Sequence, residues 1–109
     1  MSNLMKDGET FPLARVTAVE VFPLNANSKL AVEKHLLGIA NVVLNDQFII
    51  RDLRVMDGEN GMFVAYPLRD PKLHGAEFAY QSVVNPIKRE LRDEIENVVL
   101  EEYQRKIGR

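Results

Sequence analysis

The chain has 109 residues and a formal net charge of −2; 46% of it is hydrophobic, 28% is charged, and it contains no cysteine. That length gives one small domain with a real but limited core. The composition excludes disulfides, zinc–thiolate sites and a cysteine nucleophile, and the charge argues against a general nucleic-acid coat protein while leaving room for a local basic patch.

Residues 1–14 are polar, with Gly8 and Pro12 and no sustained period, and read as an arm ahead of a single domain at 15–109. MSNLMKDGET lacks the apolar segment of a signal peptide, and no apolar run is long enough to span a membrane. A cytoplasmic protein is expected. RVTAVEVFPL (15–24) predicts a strand closed by Pro23, with Val16, Ala18 and Phe22 on one face and Thr17, Val19 and Val21 on the other. Residues 25–34 begin with NANSK and read as a turn. HLLGIANVVL (35–44) is apolar on both faces, as a central strand would be, with His35 opening it in a structural role. NDQ (45–47) is a short turn, FIIRDLRVM (48–56) the next strand, and MFVAYP (62–67) the one after. FAYQSVV (78–84) is a candidate fifth strand beyond the loop LRDPKLHGAE, whose His74 reads as solvated.

NPIKRELRDEIENVVLEEYQRK (85–106) predicts a long helix. Asn85 suits the N-cap and Pro86 the first helical position. Ile87, Leu91, Ile95, Val98 and Val99 form an apolar stripe, and Gly108 follows as a stop. The elements add up to an α+β fold: an antiparallel β-sheet meander of four to five strands with one long C-terminal helix.

The stretch DGENG (57–61) raises the question of turn or ligand site. Asn60-Gly61 is a strong hairpin signal because both residues tolerate positive φ, and Asp57-Gly58 is a second, so a longer or bulged turn is expected. Calcium-loop spacing fails, since the twelfth position from Asp57 is Leu68 rather than a bidentate Glu. Asp57 and Glu59 remain only a weak surface ion site that nothing in the pattern requires.

One helix covers about two strands, because helices are ~10–12 Å across and strands ~4.8 Å apart. A four- to five-stranded sheet therefore keeps apolar surface uncovered. A homodimer through the sheet surface or an edge strand is the expected cover.

The cations fall into two groups. Arg51 and Arg54, an odd number of residues apart on one strand, are expected on opposite faces, with Asp52 beside either. Arg69 and Lys72 lie on the loop, and Lys88, Arg89 and Arg92 in the first turns of the helix. Positive side chains at a helix N-terminus oppose the dipole by ~0.3–1 kcal/mol each, but with the free N–H groups they make a surface suited to phosphate. The competing reading pairs them with Glu90, Asp93 and Glu96 as an ordinary solvated face. Catalytic signals are absent from the sequence. His35 and His74 have no metal-ligand spacing, Ser28 and Ser82 have no base beside them, and there is no phosphate loop or nucleophile elbow. No enzyme activity and no cofactor are expected.

NVVLNDQFIIRDLRVMDGENGMFVAYP (41–67) resembles the stage V sporulation protein G family, SpoVG, through Phe48, Asp52, Arg54, Val55, Asp57, Gly58, Asn60, Gly61, Phe63, Val64, Ala65 and Pro67. The likeness continues in NPI (85–87) and VVLEEY (98–103). It implies a small α+β homodimer that acts in the bacterial cytoplasm as a regulator linked to septation or sporulation. It also implies binding of nucleic acid, DNA first and RNA second, through Arg69, Lys72, Lys88, Arg89 and Arg92. The alternative is a protein-interaction module in septation and cell-division control that does not touch nucleic acid. In either case DGENG is a hairpin tip that fixes strand register.

Overall fold

In the computed structural model, which describes residues 11–78 and 81–108, the chain runs β1 (Val16–Pro23), α1 (Lys29–Lys34), β2 (Leu36–Leu44), β3 (Phe48–Gly58), β4 (Gly61–Ala65), α2 (Pro71–His74), a 3-10 turn (Ala76–Phe78) and α3 (Arg89–Lys106). The strands form one antiparallel sheet in the order β1-β2-β3-β4, the expected meander, and α3 covers one face, mainly along β1. Residues 1–10 of the expected arm and 79–80 of the expected fifth strand lie outside the described residues. The described remainder of that strand makes only a bridge, Leu68 to Ser82. Arg69 N–H donates to Gln81 O at 2.8 Å and Val83 N–H to Pro67 O at 2.8 Å.

The core lies between α3 and the sheet. Ala40, Val42, Ile50, Leu53 and Val55 come from the two central strands, Val21 and Val64 from the edges, and Ile95, Val99 and Tyr103 from the helix. These three helix residues recur at i, i+4 and i+8, as one helical face requires. The stripe differs from expectation at its ends. Tyr103 belongs to it, whereas Ile87 is 76% exposed.

Register shifts at three places break the alternation that the sequence suggests, one of them at Leu37, between the pairs Leu36–Met56 and Gly38–Val55. In β1 the pairing passes from Val16–Leu44 to Ala18–Val43, leaving Thr17 extra. Val16, Val19 and Val21 therefore share the core side, rather than Val16 with Phe22. In β3 the pairs Ala40–Leu53 and Val42–Ile50 leave Asn41 alone opposite both Arg51 and Asp52. Asp52 takes φ 64°, and its N–H donates to Asn41 Oδ1 at 3.3 Å. The extra residue returns Leu53 to the core and carries Arg51 and Arg54 to the same outer face, the reverse of the opposite-face expectation.

The turns also divide differently from the sequence reading. Asn45 and Asp46 both have positive φ, 54° and 55°, and Gln47 N–H reaches Leu44 O at 2.9 Å. This is the type I′ geometry that matches strand twist. In the β3–β4 hairpin, Gly58 pairs with Gly61 around the loop residues Glu59 and Asn60. Gly61 alone supplies positive φ there, at 113°; Asn60 does not share it.

Residues 25–34 hold a helix where only a turn was expected. Ser28 Oγ accepts Ala31 N–H at 3.1 Å, an N-cap for α1. His35 does not open β2. It caps α1 at φ 58°, with its N–H on Leu30 O, and its carbonyl accepts Asp57 N–H at 2.9 Å.

The start of α3 is also corrected. Asn85 Oδ1 accepts the Ser82 hydroxyl at 2.8 Å, so its amide serves the preceding turn. The helix begins at Arg89 with Lys88 in the cap position and no side-chain cap. Gly108 closes it at φ 87°.

Candidate nucleic-acid interface

Tyr66, just past β4, fixes one side of the helix start. Arg92 lies with its guanidinium 6.0 Å from the Tyr66 ring centroid, at the outer limit of a cation–π contact, and its Nη2 donates to Pro86 O at 3.2 Å. Arg92 thus braces the segment that leads into α3. On the other side Glu94 anchors β1: its carboxylate accepts Arg15 Nε and Val16 N–H, each at 2.7 Å.

Between these braces the first turn faces outward. Lys88 and Arg89 are exposed. Arg89 comes only to 4.0 Å from Asp93 at i, i+4, a separation worth little on an exposed helix. Because no side chain caps α3, its first N–H groups remain open to an incoming acceptor. The expected acid pairing of the cations is therefore present at Arg89, while Arg92 is engaged by a backbone carbonyl and a ring.

The loop cations are placed separately. Arg69 follows β4 on the bridged segment and is half-buried. Lys72 lies on α2, which Asp70 caps by accepting Lys72 N–H at 2.9 Å. Among the described elements α2 packs on the 3-10 turn and not on α3. The structure thus gathers Lys88, Arg89 and Arg92 at one helix end, with Arg69 three residues beyond the Tyr66 brace, and leaves Lys72 on a separate projection. Among the described residues no cluster of His, Asp or Glu could hold a metal, and no helix is long and apolar enough to cross a membrane.

A model of the SpoVG family matches residues 14–105. The chain belongs to the SpoVG family. Its SpoVG relatives include the septation protein SpoVG of Lachnospira eligens, 30% identical over 77 residues that cover 71% of this chain and 83% of that protein. Septation protein SpoVG 2 of Listeria monocytogenes serotype 4b is 34% identical over 77 residues, 71% of this chain and 72% of the relative. The SpoVG of an Anaeromyxobacter strain is 32% identical over 92 residues, 84% of each chain. The SpoVG match ends within the last turns of α3, so the braced helix start lies inside it.

Sequence reading found the exposed cations but not the brace. Its signal was Tyr66 at the end of a strand and Arg92 one turn into a helix, which only the tertiary fold joins. The Tyr66 hydroxyl is buried and has no protein partner; burial raises its pKa, with Arg92 lowering it and Glu96 raising it. Tyr66→Phe is expected to stabilise the fold by ~1 kcal/mol, because an unsatisfied buried hydroxyl is removed. Wild-type stability should also fall as pH rises past ~10, where the unfolded chain ionises this tyrosine before the folded one does. Denaturant midpoints at neutral and alkaline pH check both expectations. A lower midpoint for Tyr66→Phe at neutral pH would show that the hydroxyl is held by a partner such as water.

Proposed function

We propose that this SpoVG protein is a cytoplasmic regulator that binds nucleic acid as a homodimer, DNA first and RNA second, in gene control linked to septation or sporulation. The observation that carries the reading is the uncapped N-terminus of α3, where Lys88 and Arg89 stand exposed beside open N–H groups. Phosphate is the ligand that satisfies both the N–H groups and the cations. Arg92 lies one turn into the helix, and Arg69 and Lys72, on the segment after β4, complete the proposed set. The names of the relatives support the septation link. The homodimer is supported by the two edge strands of the open sheet, β1 and β4, which a second copy can pair with.

The test is binding of a short duplex at two salt concentrations. Each phosphate contact contributes about 0.9 to the slope of log affinity against log salt. Lys88→Ala/Arg89→Ala should therefore flatten that slope by up to ~1.8. An unchanged slope would remove these residues from the interface, and a monomeric mass by light scattering at micromolar concentration would remove the dimer. The second reading, a protein-interaction module, is favoured by the acid–base pairs on α3, Arg89 with Asp93 and Arg105 with Glu102. Absence of nucleic-acid binding at low salt would select it.

A further inference from the structure

The phenylalanines with described side chains, Phe11, Phe22, Phe48 and Phe63, are all exposed, while the core is built from Val, Ile, Leu, Ala and Tyr. Two of them stand on the face of the sheet opposite α3. Phe22 is 52% exposed and Phe63 42%. By register, one row across this face reads Phe22, Ile39, Arg54, Ala65, and the adjoining row brings Met56 beside Phe63. Phe22 on β1 and Phe63 on β4 are three strand spacings apart across the sheet, ~14 Å, and one row apart along it, ~7 Å. The bulge at Asp52 adds Arg51 to the same face. Arg51 and Arg54 are exposed and have no ion pair among the described residues, while Glu20 is engaged by Asn41 Nδ2 at 3.2 Å.

At the hairpin end this face opens into a cleft of about 480 Å³ lined by Lys34, His35, Met56, Asp57, Glu59 and Phe63. The Phe63 ring lies over Gly58, since a β-carbon there would stand 2.8 Å from Cε1. The ring is thereby held at the cleft wall.

The geometry points to a binding site for single-stranded nucleic acid on the outer sheet face, with one unstacked base in the Phe63 cleft and the backbone crossing Arg54 and Arg51. Aromatic side chains on an open four-stranded sheet can stack two or three unpaired bases. Such stacking tolerates any base because each has a π-face. Lys34 and His35 border the cleft as phosphate partners, and Asp57 and Glu59 supply acceptors for base N–H groups. A second copy of the chain fits this face less well, because it would bury two unpaired guanidiniums that a phosphate backbone satisfies. The site deepens the nucleic-acid reading above and leaves an edge strand for the dimer.

The experiment is fluorescence anisotropy of labelled oligothymidylate, oligouridylate and a short duplex with the full chain, alongside Phe63→Ala, Phe63→Trp, Arg54→Ala and Lys88→Ala/Arg89→Ala. Phe63→Ala should weaken single-strand binding roughly ten- to a hundredfold, Phe63→Trp should restore it, and the duplex should be unaffected by either. Arg54→Ala, at an exposed position outside the core, should weaken the single strand alone. Preference between thymidylate and uridylate assigns DNA or RNA. Single-strand binding that survives both Phe63→Ala and Arg54→Ala overturns the site. Duplex binding without single-strand binding overturns it while the helix reading stands, and failure of the wild type on every probe overturns both. Loss of the dimer in Phe63→Ala with single-strand binding intact would assign the face to a second copy and overturn the proposal.

Discussion

Deletion of Asp52 is expected to leave cooperative folding intact. The bulge sets one residue of β2, Asn41, opposite both Arg51 and Asp52. Without the extra residue Ile50, Arg51 and Leu53 stand one-to-one opposite Val42, Asn41 and Ala40, so the ladder becomes regular and Ile50, Leu53 and Val55 keep the core side. What is lost is the bond from Asp52 N–H to Asn41 Oδ1 and a residue held at φ 64°. Both are small, so stability is expected within ~1 kcal/mol of wild type. Urea titration followed by circular dichroism checks this, with a retained sigmoidal transition as the expected result. Asp52→Gly is the control. It keeps the chain length and the bulge, suits φ 64° and should unfold with wild-type stability or a few tenths of a kcal/mol more. Loss of the transition in the deletion variant alone would mean that the added twist of the bulge, and not the pairing, fits the sheet to α3.

Leu53→Ala is expected to cost ~2–5 kcal/mol. Leu53 is fully buried on a central strand, beneath the helix that supplies Ile95 and Val99. Its cross-strand neighbour is Ala40, too small to lean into the space left behind, so the upper half of that range applies. Leu53→Met, which conserves volume, should cost less than ~1.5 kcal/mol. The signature is a lower denaturant midpoint with an unchanged slope. A loss below ~1 kcal/mol would mean that α3 can settle onto the sheet and close the cavity.

The parts of the fold legible in the sequence are those governed by local rules. The meander followed from β-branched runs separated by short polar turns, and α3 from a stripe of period 3.6. The bulges were not legible, because alternation assumes a strict period of two and Thr17 and Asp52 each add a residue whose place only the partner strand decides. The helix start was misplaced because Asn85-Pro86 is a sound local signal that Ser82 overrides. Six residues of α1 gave too little periodicity to separate from a turn, although Ser28 ahead of Lys29 to Lys34 was a usable capping signal. Of the candidate interface, the exposure of Lys88 and Arg89 was legible. The engagement of Arg92 by Tyr66 and the separation of Lys72 from α3 were not, since they depend on how β4 and the segment after it approach the helix. The cleft beside Phe63 was least accessible. It exists because His35 ends α1 in a left-handed conformation and hands its carbonyl to β3.

The way β1 is fastened has a consequence for how the protein is made. Its first residues are held by groups that come much later in the chain: Asn45 Oδ1 accepts Arg15 N–H at a separation of 30 residues, Thr17 Oγ1 takes the Asp46 N–H at 29, and Glu94 closes on Arg15 at 79. Translation delivers β1 first and its last clasp near the end. On the ribosome the strands, β1 with β2 included, can pair in order as they emerge, and the sheet gains its covering helix only as the final turns of α3 emerge. A truncated product lacking α3 would therefore present Val21, Val42 and Leu53 uncovered, because Ile95, Val99 and Tyr103 supply the other side of the core.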